Sequence, residues 1–136
     1  ISRFIDNNPE FIFAPSEMVL EVSRRENAIP FDTPGAELFH YKENGKEFSS
    51  FDAIIRKYHL EDPALLELAR IVRGADVNAI DAPAESAGLE AAAIGFRDIS
   101  RDDHENMRLQ FPLYDALYAY VKGRMQGRLG LEHAHR

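Results

Sequence analysis

The sequence predicts an α+β fold, mainly helical, in which a small antiparallel sheet near the N-terminus is followed by a helical bundle. Three observations point to it. Residues 1–49 hold short apolar and extended pieces around an Asn-Gly turn, whereas from Ser50 onward apolar residues recur at helical spacing. With 136 residues and 45% hydrophobic side chains, the chain has material for one ordinary core.

Taken in order, Asn7-Asn8-Pro9 breaks whatever element the chain starts in, because proline restricts the residue before it. Phe11-Ile12-Phe13-Ala14, stopped by Pro15, reads as a buried strand. Ser16 then caps a helix with Glu17 in its first turn, Met18, Val19 and Val22 on one face, and Arg24-Arg25 near its end. Ala28-Ile29-Pro30-Phe31-Asp32 is a second extended piece, ended by Thr33-Pro34-Gly35. Leu38-Phe39-His40-Tyr41 and Glu47-Phe48 flank Glu43-Asn44-Gly45-Lys46, a hairpin signal, for a sheet of three or four strands with His40 beside the turn.

The helical half begins with the stripe Phe51, Ile54, Ile55 and Tyr58. Asp62-Pro63 supplies an N-cap and a proline in the first turn of a helix lined by Leu65, Leu68, Ala69 and Val72, with Gly74 as its stop. Asp81-Ala82-Pro83 opens the next helix, with Leu89, Ala92, Ala93 and Phe96 inward. Asp102 and Glu105 resemble a capping box for a last helix carrying Met107, Phe111, Tyr114, Tyr118 and Val121, which Pro112 should kink or divide. Residues 1–128 read as one domain and residues 129–136 as a flexible tail, whose His133 and His135 suit adventitious metal binding. The start, without initiator methionine or signal-peptide pattern, reads as a domain truncated at its N-terminus.

Composition narrows function. There is no cysteine, hence no disulfide framework, thiolate zinc site or cysteine nucleophile. Sixteen lysines and arginines against 23 carboxylates give a net charge of -7, which argues against nucleic-acid binding by this chain alone. Apolar runs fall far short of the roughly 20 residues a membrane helix needs. No Gly-rich phosphate loop or nucleophile elbow is present.

Without thiolates, a metal site must use histidine and carboxylate, the ligands that divalent first-row ions accept. His40 and His104, with one or more of Asp76, Asp103 and Glu105, form the candidate set, and Asp52 and Asp115 are further polar candidates. Each also has a structural alternative. Asp102, Asp103 and Glu105 favour a helix N-terminus by themselves, and His104 can be a solvated first-turn residue. Asp52 falls in a first turn where a carboxylate is expected, and Arg73 with Asp76 can simply clamp a helix end. His104 and Asp115 share a helix face but stand roughly 16 Å apart along it, so they cannot hold one ion together.

Several segments in order resemble the C-terminal domain of the ChrB-type chromate resistance proteins: Arg3-Phe4-Ile5-Asp6, Ile29-Pro30-Phe31-Asp32 with Pro34-Gly35, His40, Ser50-Phe51-Asp52-Ala53, Asp62-Pro63-Ala64-Leu65, Ile71-Val72-Arg73-Gly74-Ala75-Asp76, Asp102-Asp103-His104 and Tyr114-Asp115-Ala116-Leu117-Tyr118-Ala119. The family pattern places an arginine and a Cys-Pro-Trp-like segment upstream of the first of these. It also commonly has a cysteine shortly before the Phe-Asp pair, where Ser49-Ser50 stand here. The resemblance implies a cytoplasmic role in bacterial chromate resistance. A metal- or oxyanion-binding sensor or accessory domain fits that role first. A His/carboxylate metalloenzyme for redox detoxification and a structural domain mediating dimerisation are the rivals, and a homo-oligomer is a possible assembly. Chromate or a similar oxyanion is the implied partner, with Arg3, Arg73 and Arg101 as charge-assisted donors; no membrane contact is expected.

Overall fold

A computed structural model describes residues 4–5, 8–77 and 82–129, with the side chains of 128 and 129 excepted. A turn of 3-10 helix at Ser16–Met18 runs into α1 (Val19–Glu26), followed by the hairpin β1 (Tyr41–Glu43) and β2 (Lys46–Phe48). Then come α2 (Ser50–Tyr58), α3 (Pro63–Asp76), α4 (Glu85–Ile99) and α5 (Asp103–Leu129). The α+β, mainly helical class is as expected.

The hairpin is antiparallel, with Tyr41 opposite Phe48 and Glu43 opposite Lys46. Asn44 and Gly45 both take positive φ, the requirement of a tight turn that matches strand twist. The other extended pieces are not strands. Residues 11–14 have no partner strand among the described residues, and Ile12 and Phe13 are 46% and 41% exposed. Phe11 instead meets Phe111 edge-on, ring centroids 5.9 Å apart, which lays this stretch across α5. Residues 28–32 make a single parallel bridge, Phe31 to Leu38. Among the described residues the sheet therefore has two strands, not three or four. An apolar run carries propensity but no edge to pair with, and tertiary placement supplies none here.

The core lies where α3 packs on α2, α4 and α5. Ile71 and Val121 are fully buried, surrounded by Leu65, Leu68, Val72, Leu89 and Tyr118. Asp62 caps α3 by accepting from the Leu65 N–H at 2.9 Å, and it also accepts the Tyr118 hydroxyl of α5 at 2.9 Å. Tyr118→Phe is expected to lower stability by about 1.5–3 kcal/mol, the range for a hydrogen bond to a charged group. Thermal or urea unfolding measures it; an unchanged midpoint would show the bond to be idle.

Three expectations about helix bounds are corrected. Gly74 does not end α3, which continues to Asp76, where the Val77 N–H closes on the Arg73 carbonyl at 2.9 Å. Gly74 faces α4: a Cβ there would fall 2.6 Å from the Ala82 Cβ and land on the Ser86 hydroxyl. That hydroxyl donates to the Ile71 carbonyl at 2.7 Å and joins the two helices. Pro112 does not divide α5, which is one helix from Asp103 to Leu129. The lost backbone bond and the ring's crowding of the preceding turn cost about 3 kcal/mol, which packing against α3 and α4 offsets. α4 begins at Glu85, later than the Asp81-Ala82-Pro83 start, and Asp81 lies outside the described residues.

Candidate functional site

The polar side chains converge where the N-terminus of α2, the C-terminus of α3 and the loop before β1 meet. Ser49 is the N-cap of α2 and forms a reciprocal capping box with Asp52: its hydroxyl accepts from the Asp52 N–H, and its own N–H donates to Asp52 Oδ2 at 2.9 Å. Asp52 is buried and does more than cap. Arg73 Nε and Nη2 donate to its two oxygens, each at 3.0 Å, a bidentate pair between α2 and α3. Arg73 also lies over the Phe48 ring, 4.9 Å from its centroid, and Phe48 stacks on Tyr41 at 4.9 Å. Arg56 covers the far side of Tyr41 at 4.0 Å, so the hairpin's aromatic pair is held between two guanidinium groups. Burial is the main cause that pushes the Tyr41 hydroxyl above its ordinary pKa.

Beside this buried pair is a more open cluster. His40 Nε2 stands 3.3 Å from Asp76 Oδ2 and 3.6 Å from Asp32 Oδ1, with 39% of the His40 side chain exposed. The other Asp32 contact ties the loop down: Ser50 donates its hydroxyl to Asp32 Oδ1 at 2.8 Å. Phe39 stacks on the His40 ring at 4.8 Å. The Asp76 carboxyl is raised above the ordinary carboxylate range, first by burial; Asp32 and Asp52 add to the rise, while His40 opposes it. From α5, Tyr114 feels the same field: burial, then Asp76, raises its hydroxyl.

A carboxyl whose pKa is higher folded than unfolded opposes folding when ionised, and that penalty is relieved as pH falls through the folded pKa. Asp76→Asn is therefore expected to keep or raise the neutral-pH melting temperature. It should also remove Asp76's share of the gain on acidification. A clear drop at neutral pH would mean that its pairing with His40 outweighs burial.

The remaining candidates stand elsewhere. The His104 ring meets Phe13 edge-on at 4.7 Å and shares none of the neighbours described for His40. Glu105 takes the Arg101 N–H at 2.7 Å and its guanidinium at 2.8 Å, which draws its carboxyl below the ordinary range. Asp103 is exposed in the first turn of α5, and Asp115 is on that helix's exposed side. Arg3 lies outside the described residues. Among the described residues no three His, Asp or Glu side chains form a ready-made metal cage. No described helix is long and apolar enough to cross a membrane.

A model of the ChrB C-terminal domain matches residues 1–121. The chain belongs to the ChrB family of chromate resistance proteins. No curated protein and no solved structure matches it. The segments that carry the ChrB likeness are far apart in sequence, yet four of them supply this corner: Asp32, His40, Ser50 with Asp52, and Arg73 with Asp76. Asp32, Ser50 and Phe48 are absent from the residues that the sequence singled out as a site. For Asp32 and Ser50 the signal was membership in those ChrB-like segments, because nothing in local spacing links Asp32 to His40 or Asp76; Phe48 had no such signal beyond its place in the hairpin.

Proposed function

We propose that this ChrB-family domain is a cytoplasmic sensor or accessory domain of chromate resistance whose corner at Asp32, His40 and Asp76 takes a divalent first-row cation. The supporting observation is the placement of His40 Nε2 between two carboxylate oxygens, at 3.3 and 3.6 Å. Ligands bound to one ion at about 2.0–2.2 Å stand roughly 3–3.5 Å from each other, and the two His40 distances lie at or just beyond that spacing. The local charge agrees: Asp32, Asp52 and Asp76 outnumber Arg73, and the excess negative field helps to raise Asp76. A dianion alone meets repulsion at such a corner. The guanidinium forks of Arg73 and Arg101 are each engaged by a carboxylate, so an oxyanion would have to compete with Asp52 or Glu105 for them.

Calorimetric titration with Zn²⁺ and Mn²⁺ tests this in a background of His133→Ala and His135→Ala, which removes the tail's own ligands. His40→Ala and Asp76→Ala should each weaken binding by at least the ~10–100-fold seen for lost supporting groups at metal sites, while His104→Ala leaves it unchanged. Equal affinity in the His40→Ala protein would refute the assignment. The net charge of -7 further supports no salt-sensitive duplex binding by this chain alone, which a gel-shift titration at physiological salt would check.

A further inference from the structure

We infer that the apolar groove bounded by residues 10–14, α1 and residues 27–33 is a docking surface for a partner segment carrying large apolar side chains flanked by lysine or arginine. The groove has a volume of about 690 Å³. Its lining includes Ile12, Phe13, Ile29 and Phe31, which are 46%, 41%, 61% and 43% exposed. Large side chains gathered in this way, on a chain with a well-filled core elsewhere, mark an interaction surface. Residues 11–14 are the apolar run that reads as a buried strand, so their exposure is a property of the fold that their own composition opposes.

The charge around the groove sets the chemistry of the occupant. Among its described lining residues stand the exposed carboxylates Glu10, Glu26 and Asp32, and no lysine, arginine or histidine. Glu26 has Arg25 at 3.8 Å, but both side chains are largely exposed and water screens the pair. An apolar floor with an anionic rim is complementary to a basic amphipathic segment, in which apolar anchors supply affinity and rim charges supply orientation and on-rate. The inference does not depend on a cation at the His40 corner.

Fluorescence anisotropy with a labelled synthetic peptide of alternating leucine and lysine tests it on the whole chain. The wild type should bind this peptide at least about tenfold more tightly than a leucine–glutamate or a serine–lysine counterpart. Glu10→Lys with Glu26→Lys should reverse the preference toward the leucine–glutamate peptide. Ile12→Ser with Ile29→Ser, at exposed positions that leave the far-UV spectrum unchanged, should abolish the advantage of leucine over serine. Equal binding of the serine–lysine peptide would overturn the inference, since charge alone would then suffice. It would equally fall if sedimentation showed a wild-type dimer that Ile12→Ser with Ile29→Ser dissolves, because the groove would then be covered by a second copy.

Discussion

Asp52→Ala is expected to lower stability by about 3–5 kcal/mol, the magnitude for removing one member of a buried, hydrogen-bonded ion pair. The Asp52 side chain is 8% exposed and the Arg73 side chain 19%, so solvent screens the pair little. The substitution also takes the capping acceptor from the Ser49 N–H and hydroxyl. For a domain of this size that corresponds to roughly 10–20 °C in melting temperature. Arg73, itself only 19% exposed, would lose both oxygens of its bidentate partner, and the desolvation of its charge without that pair is the larger part of the loss. The double variant Asp52→Ala with Arg73→Met should therefore be less destabilised than the sum of the two single variants. Additive losses would show that the residues act separately, with Asp52 serving α2 as a cap alone.

Gly74→Ala is expected to destabilise by about 1–3 kcal/mol, against the direction of helix propensity. An alanine inside an isolated helix is better than glycine by roughly 0.8–1 kcal/mol. Here the added methyl would meet the Ala82 Cβ at 2.6 Å and collide with the Ser86 hydroxyl, which is already committed to the Ile71 carbonyl. Relief requires α3 and the start of α4 to separate, and overpacking of this kind costs typically 1–3 kcal/mol or more. Clash therefore outweighs propensity. Gly88→Ala in α4 is the control, because among the described residues no atom beyond its own stretch of helix backbone lies within 4 Å of its Cβ position, and it should melt at the same or a higher temperature. A raised midpoint for Gly74→Ala would mean that the helices part at little expense.

Much of the helical half was legible from local patterns, since those patterns are local in their physics. Asp62-Pro63 starts α3 because a carboxylate can accept from the next turn's N–H groups and proline loses nothing at a helix start. Asn44-Gly45 makes the hairpin because both residues tolerate positive φ. The stripe of Leu65, Leu68 and Val72 is buried as its spacing requires.

The candidate site was legible only as an inventory. His40, Asp52, Arg73 and Asp76 could be singled out as polar residues at element ends, but a spacing of residues along the chain contains no distance between a loop and a helix end. The sequence by itself determined the helices, the hairpin turn and the ChrB family. The tertiary structure alone decided which carboxylate these cations meet: Asp52 for Arg73, and Asp32 and Asp76 for His40. It also decided that the apolar run at residues 11–14 remains half exposed, and that Gly74 is a point of helix contact. Capping and periodicity act within one or two turns, whereas pairing and burial depend on which surfaces the packed helices bring together.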